Sequence, residues 1–255
     1  MTQRIADYLV DGFFNGERRS FSDTAISYNV QQLGPTDTEL VRLAMDEWAK
    51  ISNVSFVETE GAAQITFRKD ILSQTFFDIR EDGTIWSADV VQSAFYQFET
   101  QDVRVQNWMH EIGHALGLGH PGPYNGAEGG PIFAEDSTDV TVMSYVKGDR
   151  TPLNPQEADH LAIWELYGRP EQINAGDTVY GITASDRLFI ADTGGTDTVQ
   201  VYGNGAYDMT GGADNEAFGL DQNAVIENLN VFVDNGYSVQ IVGNSGDNII
   251  TILDG

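Results

Sequence analysis

The stretch His110-Glu111-Ile112-Gly113-His114-Ala115-Leu116-Gly117-Leu118-Gly119-His120-Pro121 constrains this chain more than any other. If the residues leading into it are helical, His110 and His114 sit four apart on one face, and two imidazoles can converge on one ion. Zinc takes imidazole nitrogen at about 2.0–2.1 Å in a tetrahedral set, and a catalytic site leaves one position open. His120 can supply a third ligand if the chain leaves the helix after His114 and swings back, and Gly117 tolerates the left-handed turn this requires. Glu111, beside the first ligand, then faces the water on the metal and not the metal itself. The pentapeptide His110–His114 alone also fits a solvated helix face. Economy favours zinc: of four histidines in the chain, three fall between positions 110 and 120. His160 has no partner at ligand spacing and reads as an ordinary helix-surface histidine.

Downstream lies Thr141-Val142-Met143-Ser144-Tyr145, an apolar turn with a tyrosine two places after the methionine. Together with the elongated histidine motif, this resembles the metzincin metalloproteases. Within them, His120-Pro121-Gly122-Pro123-Tyr124-Asn125 and Phe133-Ala134-Glu135-Asp136-Ser137 look like segments of the serralysin branch of secreted bacterial proteases, as do Asp7–Gly12, Ala158–Gly168 and Gly176–Gly181. Val146 departs from the tryptophan that many members carry there. The resemblance implies a zinc endopeptidase acting on proteins or peptides. Its ligands are His110, His114 and His120, its general base is Glu111, and Met143 packs beneath the metal. It gives Tyr145 two roles, an additional ligand at rest and a hydrogen-bond donor to the oxyanion during reaction. In such a site zinc lowers the pKa of its water from 15.7 to about 7.

The chain has 255 residues, 41% of them apolar, enough for one large or two modest domains with a real core. No apolar run is long enough for a transmembrane helix, and the amino terminus lacks the pattern of a signal peptide. Thirty-nine acidic against 13 basic side chains give a formal charge of -26. Such a surface repels nucleic acid and anionic membranes and favours divalent cations. Lack of cysteine would point to the cytosol; the resemblance overrides this, implying a monomer that is secreted without an N-terminal signal peptide and uses calcium in place of disulfides.

The order of segments predicts an α+β fold. A short helix spans Thr2 to Leu9, and strands span Ala25–Val30, Val54–Val57 and Gln64–Phe67. A helix after Pro35 carries a capping box from Thr36 to Glu39. The zinc helix starts near Thr100. A later helix has Asn154 as cap, Pro155 at its first position and Glu157 at its third. Gly83–Val90 reads as one more strand; the resemblance makes its Ile85, Trp86, Ser87 and Ala88 the sheet edge onto which substrate adds as an extra strand, while the residues alone fit an ordinary strand. The resemblance makes residues 1–168 a metzincin domain of mixed twisted sheet and helices. Residues 169–255, with short β-prone segments between Gly, Asp and Asn, form a short all-β domain of β-roll or sandwich type.

Two stretches there suggest calcium. Asp192-Thr193-Gly194-Gly195-Thr196-Asp197 brackets glycine carbonyls between two carboxylates. The resemblance pairs it with Asn174-Ala175-Gly176-Asp177-Thr178, giving the ligand set Asn174, Gly176, Thr178, Asp192, Gly194 and Asp197, with Asn174 where the family carries arginine. Gly243–Thr251 resembles a single nine-residue calcium repeat, and equally a glycine-rich turn before a last strand. Two other functions stay open: a calcium-dependent binding module with an inert protease head, and a zinc hydrolase that cleaves one partner or itself.

Overall fold

The computed structural model describes residues 2–125, 129–210, 217–233 and 238–254. The chain divides into two compact units, one of residues 1–148 and 154–170, the other of 149–153 and 171–255.

In the first unit, helix α1 (Thr2–Asp7) continues into a widened turn, Tyr8–Gly12. Then come strands β1 (Ser20–Phe21) and β2 (Ala25–Asn29), helix α2 (Pro35–Ile51), strands β3 (Ser55–Glu58), β4 (Ile65–Asp70), β5 (Gln74–Ile79) and β6 (Thr84–Ser93), and helix α3 (Gln101–Ala115). Strands β3, β2, β4 and β6 pair side by side and parallel, β1 pairs parallel with the start of β6, and β5 runs antiparallel along the opposite side of β6. Helices α2 and α3 cross on the sheet, with Trp48 Nε1 donating to Met109 O at 3.1 Å. Trp48, Trp108, Phe67, Ile65, Met45 and Ile112 fill the core between them.

Two of the helix starts are set otherwise than by the expected side-chain caps, one by proline and one by a tertiary bond. Helix α2 begins at Pro35 with Gly34 as cap and no side-chain cap bond. The predicted box from Thr36 to Glu39 does not form, because the fixed φ of Pro35 already opens the helix and Glu39 instead pairs with Arg42 at 2.7 Å. After strand β7 (Thr151–Pro152), which belongs to the second unit, helix α4 (Glu157–Tyr167) is capped by Gln156 in a capping box with Asp159, not by Asn154. Asp159 also accepts from Val142 N at 2.8 Å, so a long-range contact selects the register of the helix start. His160, expected on a helix surface, is buried and packs edge-on to Trp164, 5.5 Å between ring centroids.

The second unit contains β8 (Val179–Ile182), β9 (Asp186–Ile190), β10 (Thr198–Tyr202), β11 (Gly205–Asp208), β12 (Phe218–Leu220), β13 (Asn228–Val233), β14 (Val239–Val242) and β15 (Ile249–Asp254). Every ladder among its described residues is parallel: β8, β10, β13 and β15 in one sheet, β7, β9 and β12 in a second, β11 with β14 in a third. The chain moves from sheet to sheet in turn. Inward side chains of successive circuits, Val199, Val201, Leu229, Val231 and Phe218, stack into a separate core. Parallel strands need crossovers, and here Gly- and Asp-containing bends that lead into a neighbouring sheet replace crossover helices.

Candidate metal centre

The site begins with the way α3 is started and stopped. Thr100 caps the helix by accepting from Val103 N, while Trp108, packed edge-to-face on Phe67, anchors its inner face. At the other end Gly117 has φ +102, and a Cβ there would lie 1.9 Å from Arg19 O. Both its conformation and its space therefore require glycine. Bonds from Gly117 N to His114 O (2.8 Å) and from Leu118 N to Gly113 O (3.0 Å) close the helix end. Gly119 N then donates to Leu9 O at 2.7 Å, and the returning chain brings His120 against the helix.

The three imidazoles converge. Their Nε2 atoms are 3.1 Å (His110 to His114), 3.0 Å (His114 to His120) and 3.3 Å (His110 to His120) apart. Among the described residues they are the one group of three or more His, Cys, Asp or Glu side chains gathered closely enough to share an ion. Each Nδ1 faces a backbone carbonyl at 2.8 Å: Val142 O for His110, Leu118 O for His114 and Tyr124 O for His120. Carbonyls only accept, so the network assigns the proton of each ring to Nδ1. Three Nε2 lone pairs therefore point at one another, an arrangement that repels unless a cation lies between them. Ligands about 2.0–2.1 Å from a tetrahedral ion are roughly 3.3–3.4 Å apart, close to what is found. Burial holds His110 down to about 4 and His120 to about 3, and pushes His114 well below the ordinary value, so all three are neutral and ready to ligate near pH 7.

Glu111 is buried beside the cluster. Burial raises its carboxyl to about 7, against a lowering hydrogen bond from Thr75 Oγ1, which lies 3.0 Å from its Oε2. Tyr145 is 48% exposed, its ring stacked on His110 at 5.5 Å and tilted over His120 at 4.5 Å. With Glu111, His114 and His120 it lines an open cavity of about 390 Å³, whose other walls include Phe13, Thr75 and Phe77. Met143 is fully buried, and its Sδ occupies the space next to Gly113, 2.5 Å from where a Cβ would stand. The glycine inside the histidine motif is what lets this sulfur sit under α3.

Two buried aspartates hold the carbonyls that orient the rings. Asp159 accepts from Val142 N, Gln156 N and the Thr141 hydroxyl, fixing the turn that carries Val142 O. Asp136 accepts from Tyr124 Oη and Ser144 Oγ, tying the His120 loop to the methionine turn. Neither these roles nor that of Thr75 was read from the sequence, since each depends on a partner distant in the chain. The strand carrying Thr75 did leave a signal: Asp82-Gly83 after Thr75-Phe76-Phe77 is a hairpin pattern.

The substrate-edge assignment is corrected. Ile85, Trp86, Ser87 and Ala88 lie in β6, an inner strand: Ile85 pairs with Phe21 and Ile79 and Ala88 with Ile65 and Phe77, while Ser87 pairs with Asp78 and Trp86 falls at a register shift. An apolar run buried at Ile85, Ala88, Val90 and Val91 belongs inside a sheet. Among the described strands the outer one beside the histidines is β5.

The six residues expected to hold calcium lie in two loops that touch. A Cβ on Gly195 would fall 2.6 Å from Gly176 O. Asp197 Oδ1 accepts from Thr178 N at 2.9 Å, Asp192 Oδ1 from Gly194 N at 2.9 Å, and Asp192 Oδ2 from the Tyr180 hydroxyl. Asn174 takes a left-handed conformation, φ 47, with its amide on Ala191 O. Asp192 and Asp197 are each 1% exposed, and Asp197 Oδ2 is buried with no hydrogen-bond partner. In the terminal repeat Asn244 bonds to Ile226 O, Gly246 N and Asn248. Amides linked in this way satisfy one another, which is the plain-turn alternative.

Fold and site together define a helix-and-sheet protein with a three-histidine metal centre over a methionine turn. No family model matches the chain. It is 30% identical to Serralysin C of Dickeya chrysanthemi over 88% of this chain and 54% of that protein. It is also 30% identical to a serralysin of Photorhabdus luminescens and to Metalloprotease AprA of Pseudomonas entomophila, in each case over 82% of this chain and 51% of the relative. The chain spans about half the length of these curated relatives. Over the aligned residues it is similar to the serralysin-type metalloproteases. Among the described residues no helix is long and apolar enough to cross a membrane.

Proposed function

We propose that the chain is a secreted zinc endopeptidase that hydrolyses peptide bonds of protein substrates. The observation that carries this reading is the convergence of three Nε2 lone pairs, each ring's proton being held on Nδ1 by a carbonyl, with a buried carboxylate beside them. Zinc, when bound there, supplies Lewis acidity and a more acidic water. His110, His114 and His120 hold it. Glu111 takes the proton of the attacking water and passes it to the leaving amine, and Tyr145 donates its hydroxyl to the developing oxyanion. The outer strand β5 supports an extended peptide by backbone pairing, and Thr75 on that strand keeps the Glu111 carboxylate aimed.

Residues 1–168 are taken as the protease domain and 169–255 as a β-roll-like domain stabilised by calcium. The buried, unpartnered Asp197 Oδ2 supports this, and Asp192 with the oxygens of Asn174, Gly176, Thr178 and Gly194 complete the proposed ligand set. A charge of -26 argues against nucleic acid and anionic membranes as partners and suits a soluble monomer.

The test is casein hydrolysis with and without a zinc chelator, alongside metal analysis of variants. Replacing His110, His114 or His120 by alanine lowers zinc content and proteolysis together. Glu111→Ala keeps zinc and loses roughly a hundred- to ten-thousand-fold in rate. Full proteolysis by a His120 variant would sink the proposal; zinc binding with no hydrolysis of any protein by the native chain would point to the inert binding module.

A further inference from the structure

The metal cavity has one cationic wall. Arg19 lines it together with His114, His120, Glu111 and Tyr145, and no other lysine or arginine does so among the described residues, in a chain of formal charge -26. Its position is fixed from both ends. Its backbone oxygen fills the space beside Gly117 at the end of α3. Its guanidinium carbon sits 3.9 Å above the centroid of Phe14, next to Phe13, which packs edge-on to His120 at 5.0 Å.

Within the protein this cation is poorly satisfied. The side chain is 23% exposed, and its nearest carboxylate, that of the 75% exposed Glu17, is 3.6 Å from Nη2, too far for a hydrogen bond. Nε is buried and has no acceptor. A stacked guanidinium covers one face with the ring and leaves its donor edge for a planar acceptor, and a carboxylate matches that fork. The exposed remainder of the guanidinium lines the cavity without a hydrogen-bonded carboxylate, so a ligand entering there can supply one.

Within the peptidase reading, we propose that Arg19 is a specificity-determining residue that receives a carboxylate of the substrate close to the scissile bond. The carboxylate is either an Asp or Glu side chain or the free terminus of a short peptide. Screening by solvent at the cavity mouth weakens the contact but leaves its sign, so the preference decreases as ionic strength rises.

The experiment uses the zinc-loaded chain and quenched fluorescent peptides of one sequence, carrying Glu, Gln or Lys in turn at each position flanking the cleaved bond. A second pair ends two residues beyond that bond in a free acid or an amide. A charge-assisted hydrogen bond predicts a kcat/KM for Glu over Gln of roughly ten- to a hundredfold at one position. The ratio collapses towards one in Arg19→Gln, is partly kept in Arg19→Lys, and turns towards the Lys peptide in Arg19→Glu. If only the acid and amide pair shows the ratio, the recognised group is the chain terminus. Calorimetry of the same peptides on Glu111→Gln protein reads the preference without turnover, so a chain that cleaves nothing still answers the question. Should Arg19→Gln not fold, Arg19→Lys preserves the stem over Phe14 and is judged by its own ratio. Equal values for Glu and Gln in the native chain, or a preference that survives Arg19→Gln in both assays, overturns the inference.

Discussion

Deleting one hydroxyl separates the two roles open to Tyr145. Its ring lies over His110 and His120, so Tyr145→Phe keeps the stacking and removes only the donor. An oxyanion donor predicts a loss of roughly 2.7–4 kcal/mol in the chemical step with little change in KM; a pure ligand predicts weaker zinc retention at normal turnover, and single-turnover kinetics with metal analysis tells them apart. The histidines give a pH prediction of definite sign. Unfolded histidine titrates near 6.5, while in the fold His110 lies at about 4 and His120 at about 3. Between those values the unfolded chain binds more protons, so the stability the rings contribute is present above about pH 6.5 and is lost as pH falls through the folded values. For His110 this amounts to something on the order of 3 kcal/mol. Melting temperature and zinc occupancy are therefore expected to fall together on acidification from pH 6.5 to 4, and a flat profile over that window would contradict the burial of the rings in neutral form. At this scale the ligands, Glu111 and Tyr145 were legible because the motif is local. The burial of His160 was not, since only the packing of Trp164 decides which face of α4 is inside.

Elements are tied to the site by a few buried carboxylates. Asp159 is the third-position residue of α4, yet it accepts from Val142 N at 2.8 Å, and Val142 O in turn accepts from His110 Nδ1. Asp159→Ala leaves two backbone N–H groups and the Thr141 hydroxyl without their acceptor inside the core. The expected cost is about 3–5 kcal/mol in urea unfolding, accompanied by weaker zinc binding. Asp159→Asn, which keeps one acceptor oxygen, recovers part of both. Stability lost without any change in zinc affinity would mean that the methionine turn does not depend on α4. Helices were legible from periodicity, but their first residues were not: Thr36 and Asn154 are good local caps displaced by Pro35 and by the tertiary bonds of Asp159. The sheet edge was misread for a related reason. Gly83–Val90 has the composition of a strand, but whether a strand is inner or outer depends on its neighbours, and the antiparallel pairing of β5 along β6 is a contact that neither segment displays alone.

For the whole molecule, an excess of acidic groups that favours solubility also stores repulsion wherever carboxylates are brought together and buried. In the second unit this occurs at Asp197. Burial pushes its carboxyl up to about 6, and Asp192, Glu227 and Asp177 add to the rise, while the bond from Thr178 N opposes it. The sequence displayed the two loops and their carboxylates; it did not display the parallel ladders that bring Thr178 beside Asp197, because each strand alone reads only as a short apolar segment. The raised value means that, without a cation, stability is present below the unfolded value near 3.9 and is lost as pH rises through about 6. Calcium reverses this by neutralising the ionised pair, and an ion binding only the folded chain at a hundred times its Kd adds about 2.7 kcal/mol. Melting curves with calcium and with a calcium-selective chelator are therefore expected to separate most above pH 6 and to merge towards pH 4. Asp197→Ala removes most of that separation, and Asn248→Ala, whose amide is already bonded to Asn244, leaves it in place. Hydrogen exchange on chelation is expected to rise first at residues 174–178 and 192–197. If Asp197→Ala retains the full response and Asn248→Ala loses it, the ion belongs to the terminal repeat instead.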